Sequence, residues 1–181
     1  HDVQLHVHPH WEDSFYNGSQ WVFNTSRYKL SSFSHREIDD IIKRYIFVLE
    51  DITKIRPTVF RAGGWCIQPF EKIGKALKKY GVRIDSTVYP NGKNTTVEKS
   101  FDFTNAPNKN SWNFSINPLF EDQNGYFLEI PISSVRVSPL FYYRFIWMKF
   151  FGGENHQSLA DGFAISNSSK QIFSLLLKSS F

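Results

Sequence analysis

A single cysteine, Cys66, excludes an internal disulfide framework and leaves the redox compartment open. No run of about 18 apolar residues is present, so no segment reads as a membrane-spanning helix. No signal or transit peptide is seen, and no internal repeat divides the chain. Basic residues number 21 and the formal charge is +4, yet no basic tract is longer than Lys78-Lys79. The clustered footprint that nucleic-acid binding needs is therefore missing. What is there suits a folded protein: 41% of the residues are apolar and 21% charged, and the 181 residues fit a single domain, 1–181. Aromatic side chains are abundant, with 18 Phe, 8 Tyr and 5 Trp. A large core takes most of them, and sugar-stacking surfaces would draw on the same residue types. Asn-x-Ser/Thr sequons at Asn17, Asn24, Asn94, Asn113 and Asn167 arise by chance in a chain this rich in Asn, Ser and Thr, and do not establish secretion.

The chain opens on His1 rather than Met, directly before a strand-like run, and is read as lacking an N-terminal segment. In residues 2–7, Val3, Leu5 and Val7 alternate with Gln4 and His6, which predicts a strand that Pro9 ends. Residues 11–33 show no sustained period and read as a loop. Ser34 and Glu37 then form a capping box, with Phe33 and Ile38 placed for a hydrophobic staple. Behind them Ile38, Ile41, Ile42, Tyr45, Val48, Leu49 and Ile52 predict one apolar helical stripe, ending no later than Pro57. A strand is expected over Thr58 to Arg61, a turn at Gly63 and Gly64, and a second helix between Pro69 and Gly81. That helix should face Phe70, Ile73, Ala76, Leu77 and Tyr80 inward. Residues 82–88 read as a third strand. The order strand, helix, strand, helix, strand predicts parallel strands with right-handed crossovers, and an α/β barrel-like fold is expected. Residues 89–125 form a long polar stretch pinned by Phe101, Phe103, Trp112 and Phe114, and Phe127 to Val137 returns to strand character. The aromatic segment 140–151 is too short to cross a bilayer and carries Arg144 and Lys149. A buried or interfacial helix is expected there, with contact to a membrane or lipid-linked substrate as the functional alternative.

Three histidines in five residues, His6, His8 and His10, carry the strongest chemical signal. Neutral imidazole is a good zinc ligand, and a strand end can aim several at one ion. Two pairings are open. In a continued strand His6 and His8 share a face about 6.6 Å apart, the His-x-His arrangement of amidohydrolases. If Pro9 turns the chain out of the strand, His6 and His10 close on the metal from two sides of the bend while His8 points elsewhere.

Residues 1–10, His-Asp-Val-Gln-Leu-His-Val-His-Pro-His, resemble the second motif of the polysaccharide deacetylase family, a strand ending in His-x-x-x-His. The resemblance makes His6 and His10 the metal-binding histidines and gives His8 no role. Residues 59–65, Val-Phe-Arg-Ala-Gly-Gly-Trp, resemble the family's third motif, an arginine at a strand end followed by a turn that lines the substrate groove. It implies that Arg61 orients a catalytic carboxylate and that Trp65 borders the substrate. Ala62, Gly63 and Gly64 stand where the family usually has prolines. A structural ion pair is the alternative role for Arg61. Residues 84–88 and 129–132 resemble later strands of such enzymes, where Asp85 and Glu129 would orient groups in the groove or cap strand ends.

The resemblance covers about residues 1–135 and implies a deformed (β/α) barrel, incomplete in this fragment. It also implies a divalent metal, zinc, and hydrolytic removal of acetyl groups from an acetylated sugar. The family's paired aspartates are expected upstream of the histidines, and its late Leu-x-His motif is not found. His156, the one histidine in the last third, stands in a loop-like setting and takes no role. The competing readings are a His-x-His amidohydrolase site on His6 and His8, and a degenerate domain that binds glycan through Trp11, Trp65 and Trp112.

Overall fold

The computed structural model describes residues 2–133 together with Leu140, Tyr143 and Trp147. Residues 2–133 belong to one compact unit, His1–Ser134. The strands are β1 (Leu5–Val7), β2 (Phe15–Tyr16), β3 (Trp21–Val22), β4 (Val59–Ala62), β5 (Ile84–Asp85), β6 (Lys93–Thr95), β7 (Ser100–Asp102), β8 (Trp112–Phe114) and β9 (Phe127–Glu129). Two α-helices, α1 (His35–Thr53) and α2 (Phe70–Lys79), link β1 to β4 and β4 to β5. The central sheet runs β1-β4-β5-β9-β8, with the first four strands mutually parallel and β8 antiparallel to β9. This is a mixed α/β architecture with a mostly parallel sheet, as the element order predicts. Among the described residues the sheet is open, with β1 and β8 at its edges, and no closed barrel is formed.

The strands alternate as period-two patterning requires. Leu5, Val7, Phe60, Ala62, Phe127 and Glu129 point to a buried face, while His6 and Arg61 point to the other. The helices cover the buried face. Phe70 of α2 packs edge-on against Phe114 and Phe127, each at 4.9 Å.

α1 begins where expected. Ser34 Oγ accepts from the Glu37 backbone N–H at 3.3 Å, and Glu37 Oε2 accepts from the Ser34 N–H at 2.8 Å, closing the capping box. Phe33 and Ile38 are both buried, as a staple needs. The helix stops at Thr53, short of Pro57, with Lys54 in the left-handed cap position at φ 59°. Its inward stripe differs from the expected one. Ile38, Ile41, Ile42 and Ile46 are buried, Tyr45 and Leu49 half-buried, and Val48 and Ile52 exposed. Helix length against strand length accounts for this. A 19-residue helix is roughly 28 Å long, whereas three or four residues of strand span about 10–13 Å, so the last turns overrun the sheet. The ridge Ile38–Ile42–Ile46 sits over the sheet, each residue contributing roughly 1.5–3 kcal/mol of transfer free energy.

α2 buries Phe70, Ile73, Ala76, Leu77 and Tyr80 as expected, and Lys79 and the Tyr80 hydroxyl both reach Asp39 of α1, at 2.8 and 2.9 Å. The stretch 89–125 is ordered around its aromatic anchors. It contains the β6–β7 hairpin and β8, and Phe101, Phe103, Trp112 and Phe114 are all buried. The expected loop 11–33 holds the small β2–β3 hairpin and two 3-10 turns, Thr25–Arg27 and Leu30–Ser32. The aromatic segment 140–151 lies, apart from helical Leu140, Tyr143 and Trp147, outside the described residues, as do His156 and residues 134–137 of the late strand.

Candidate functional site

β1 ends at Val7, and Pro9–Trp11 then makes a single 3-10 turn, its Trp11 N–H donating to the His8 carbonyl at 3.1 Å. The ladder stops there because proline cannot donate to it. The result is a row of imidazoles at the C-terminal end of a parallel strand. The His6 and His8 rings lie 4.5 Å apart at 89°, and those of His8 and His10 lie 5.5 Å apart at 86°. His8 therefore stands between the other two, in contact with each.

The rings are held individually. His6 Nδ1 lies 2.9 Å from the carbonyl oxygen of Arg61, its register partner on β4. A carbonyl only accepts, so Nδ1 is the donor, and in the neutral ring this tautomer leaves the lone pair on Nε2. That orientation is the usual outer-sphere support of a metal-ligating histidine. His10 stacks flat on Tyr28 at 4.9 Å and 4°, and its Nδ1 is buried without a hydrogen-bond partner. Burial, with smaller repulsion from His6, His10 and Lys99, lowers the pKa of His8. Burial and then Lys99 lower that of His10. Both rings are thus biased toward the neutral form that ligates metals.

The turn after β4 packs directly against this row. A Cβ on Gly63 would come within 2.5 Å of the Val7 carbonyl oxygen and 2.9 Å of His8 Nδ1. At Gly64, where φ is 59°, a Cβ would come within 2.6 Å of the Tyr28 ring. Glycine is required at both positions of the turn because side chains there would displace His8 or Tyr28. Arg61 lies on the same sheet face as His6. Its Nε donates to the Ser86 carbonyl at 2.8 Å and its Nη2 to Ser86 Oγ at 3.0 Å. Ion pairs among the described residues do not include it. Trp65 is half-buried, packed edge-on against Tyr89 at 5.3 Å and Phe101 at 6.0 Å. Trp112 is 3% exposed, its Nε1 donating to the Pro118 carbonyl at 2.7 Å, which removes it from any glycan-binding surface.

Asp85 lies on the buried face, away from the histidine row, with 1% exposure. Its register partner on β9 is Glu129, also fully buried. Thr87 Oγ1 donates to Asp85 Oδ1 at 2.6 Å and accepts from the Ala62 N–H at 2.9 Å, while Glu129 Oε1 accepts from the Val88 N–H. The remaining oxygens, Asp85 Oδ2 and Glu129 Oε2, have no other donor, and a proton on Glu129 bonded to Asp85 satisfies both. Burial pushes both carboxyls up, and the neighbouring Asp85 charge raises Glu129 further. Through Thr87 the pair is wired to the start of the Gly63–Gly64 turn.

Among the described residues, no three side chains of His, Cys, Asp or Glu gather as a metal-holding group. Two imidazole nitrogens suit a metal on their own chemistry, His6 Nε2 and the partnerless Nδ1 of His10, but a catalytic zinc site ordinarily takes three protein ligands. An open groove of about 730 Å³, bordered by Lys29, Gln68, Phe70, Lys93 and Asp102, contains none of the histidines. Tyr28, Thr87 and the spacing role of His8 were not legible from the sequence, since each depends on contacts between distant segments. The chain matches no family model and no curated protein.

Proposed function

We propose that the chain is a hydrolase domain of the polysaccharide deacetylase type, which binds zinc through His6 and His10 and removes acetyl groups from an acetylated sugar. The observation that carries the reading is the pair of differently prepared imidazoles. His6 has its Nδ1 fixed by the Arg61 carbonyl, and His10 has a buried Nδ1 with nothing to bond. On this reading the open parallel sheet is part of a deformed (β/α) barrel. Zinc, when bound, polarises the acetyl carbonyl as a Lewis acid. His6 and His10 supply neutral nitrogens to it, and Gly63 keeps the adjoining turn close enough to border the reacting group. Arg61, steadied by Ser86, presents its guanidinium on the His6 side of the sheet to orient a carboxylate. The family's aspartates, which would supply the third ligand and the general base, have no counterpart beside the imidazoles among the described residues, so this chain alone should hold metal weakly and turn over little.

A second reading has its own observation. His6 and His8 are the closest ring pair, at 4.5 Å, which favours a His-x-His site. Cobalt titration followed by visible absorption separates the two. Loss of the ligand-field bands in His10→Ala, with His8→Ala retaining them, supports the deacetylase reading. Loss in His8→Ala, with His10→Ala unaffected, supports the other. Bands that survive in His6→Ala sink both.

A further inference from the structure

The two imidazoles assigned to the ion are oriented by different means. The His6 ring is fixed through its Nδ1 by the Arg61 carbonyl, the outer hydrogen bond that metal-ligating histidines ordinarily have. His10 Nδ1 is buried with no such partner, so a hydrogen bond from that nitrogen does not set the plane of its ring. Ring contacts set it instead. Tyr28 lies face to face with His10 at 4.9 Å and 4°, His8 meets it edge-on at 5.5 Å, and Trp11 is tilted by 37° at 5.8 Å. Trp11 is 53% exposed and His8 offers only an edge, whereas Tyr28 is 8% exposed and covers the imidazole face.

Tyr28 is itself held by segments far apart in the chain. Lys99 Nζ lies 4.7 Å from the centre of its ring. Lys99 is fixed in the turn of the β6–β7 hairpin, where Thr96 Oγ1 accepts from the Lys99 N–H and donates to the Lys99 carbonyl, each at 3.3 Å. The same hairpin grips the next residue, Lys29, whose Nζ donates to Ser100 Oγ at 2.8 Å. From the turn after β4, Gly64 approaches so closely that a Cβ there would come within 2.6 Å of the Tyr28 ring and 2.7 Å of its hydroxyl oxygen. We propose that Tyr28 is a positioning residue of the site, its clamped ring holding the plane of the His10 imidazole in place of the outer hydrogen bond that His6 has. The inference rests on the zinc reading and extends it to a loop residue that touches no reacting group. The role belongs to the ring rather than the hydroxyl, because His10 and Lys99 both meet the ring. A ring already held in the metal-free protein leaves less freedom to be lost when the ion binds.

Two measurements on the full chain test this, cobalt affinity from the ligand-field bands and the ring-proton resonances of His10 in the metal-free protein. Tyr28→Leu should weaken cobalt binding about tenfold or more, the usual cost of losing the outer support of a ligand, while Tyr28→Phe should keep the wild-type affinity. The His10 ring protons, shielded by the stacked ring in the wild type and in Tyr28→Phe, should move to lower field in Tyr28→Leu, with those of His6 unmoved. Bands lost in His10→Ala but kept at wild-type affinity in a folded Tyr28→Leu overturn the proposal and leave the zinc reading standing. Equal losses in Tyr28→Leu and Tyr28→Phe also overturn it, since the hydroxyl rather than the ring would then be acting. If Tyr28→Leu does not fold, nuclear Overhauser contacts between the Tyr28 and His10 rings of the wild type decide. Their absence overturns the proposal, and their presence together with full cobalt affinity in Tyr28→Phe supports it. A wild type that shows no cobalt bands overturns the zinc reading and the role of Tyr28 with it.

Discussion

The imidazole row and the Asp85–Glu129 pair are both clusters of titratable groups at the ends of parallel strands, and they differ in how their polar atoms are satisfied. The carboxyls lie under the helix layer and complete each other, one proton serving two otherwise partnerless oxygens. The imidazoles lie toward the opposite face, and His10 keeps a buried nitrogen that nothing in the described structure reaches. A cluster that closes on itself fixes the frame. One that leaves a donor or acceptor open asks for something from outside. The two are joined by Thr87 and Ala62, so the closed cluster holds the turn against which the open one is packed.

Breaking the closed cluster should have the largest effect. Glu129→Ala removes the proton and leaves Asp85 as a buried, uncompensated charge, a loss on the order of 3 kcal/mol or more. Glu129→Gln keeps a donor toward Asp85 and should cost much less. Urea unfolding of the two variants measures the difference, and similar losses would show that the shared proton is not what holds the pair. Next in size is Gly63→Ala. Its Cβ would overlap the Val7 carbonyl and His8, so a cost of about 1–3 kcal/mol is expected, together with moved His8 ring resonances. A melting temperature and His8 spectrum like those of the wild type would mean that the turn is not packed as described.

The pair also sets a pH dependence whose sign follows from the direction of its shifts. Both carboxyls titrate above their ordinary values, 3.8 for Asp and 4.5 for Glu, so the folded state binds more protons than the unfolded chain in the range above those values. The contribution is full below that range and is lost as the pH rises through the folded-state values. Unfolding free energies measured between about pH 5 and pH 8 should therefore fall for the wild type and flatten in Glu129→Gln. A wild-type profile as flat as that of the variant would mean that the pair holds no proton in this range.

Local signals made the frame legible and long-range ones hid the rest. The capping box at Ser34 and Glu37, the inward face of α2 and the alternation of Leu5, His6 and Val7 are each set by neighbours a few residues apart, and each stands where its pattern put it. Ile46 was missed and Val48 and Ile52 misplaced because a helical stripe has an angle but no knowledge of where the sheet beneath it ends. Residues 89–125 carried the right anchors with no period, since β8 is stabilised by Phe70 and Phe127 from other elements. At the site, the histidines and the close glycine turn were visible. Which ring meets which, and that Tyr28 lies flat on His10, depend on contacts between β1, the turn after β4 and the loop before α1, which no spacing encodes.

The smallest effect is also the one that separates the two clusters most cleanly. Lys99 lies 4.7 Å over the Tyr28 ring, which also stacks on His10, and its charge lowers both His8 and His10, in each case as the weakest of the causes acting. Replacing it in Lys99→Gln should raise both histidine pKa values slightly, with burial still holding them under the ordinary 6.5, as read by NMR titration of the ring protons. By linkage the pH profile of unfolding moves with the histidines, but the change that Glu129→Gln makes to it should be the same with and without Lys99, because a solvent-facing ammonium is screened beyond about 10 Å and has no hydrogen bond to either carboxyl. Histidines that stay put would show that Lys99 does not face the row in solution. A Glu129→Gln effect that differs between the two backgrounds would show that the two clusters share a field as well as a turn.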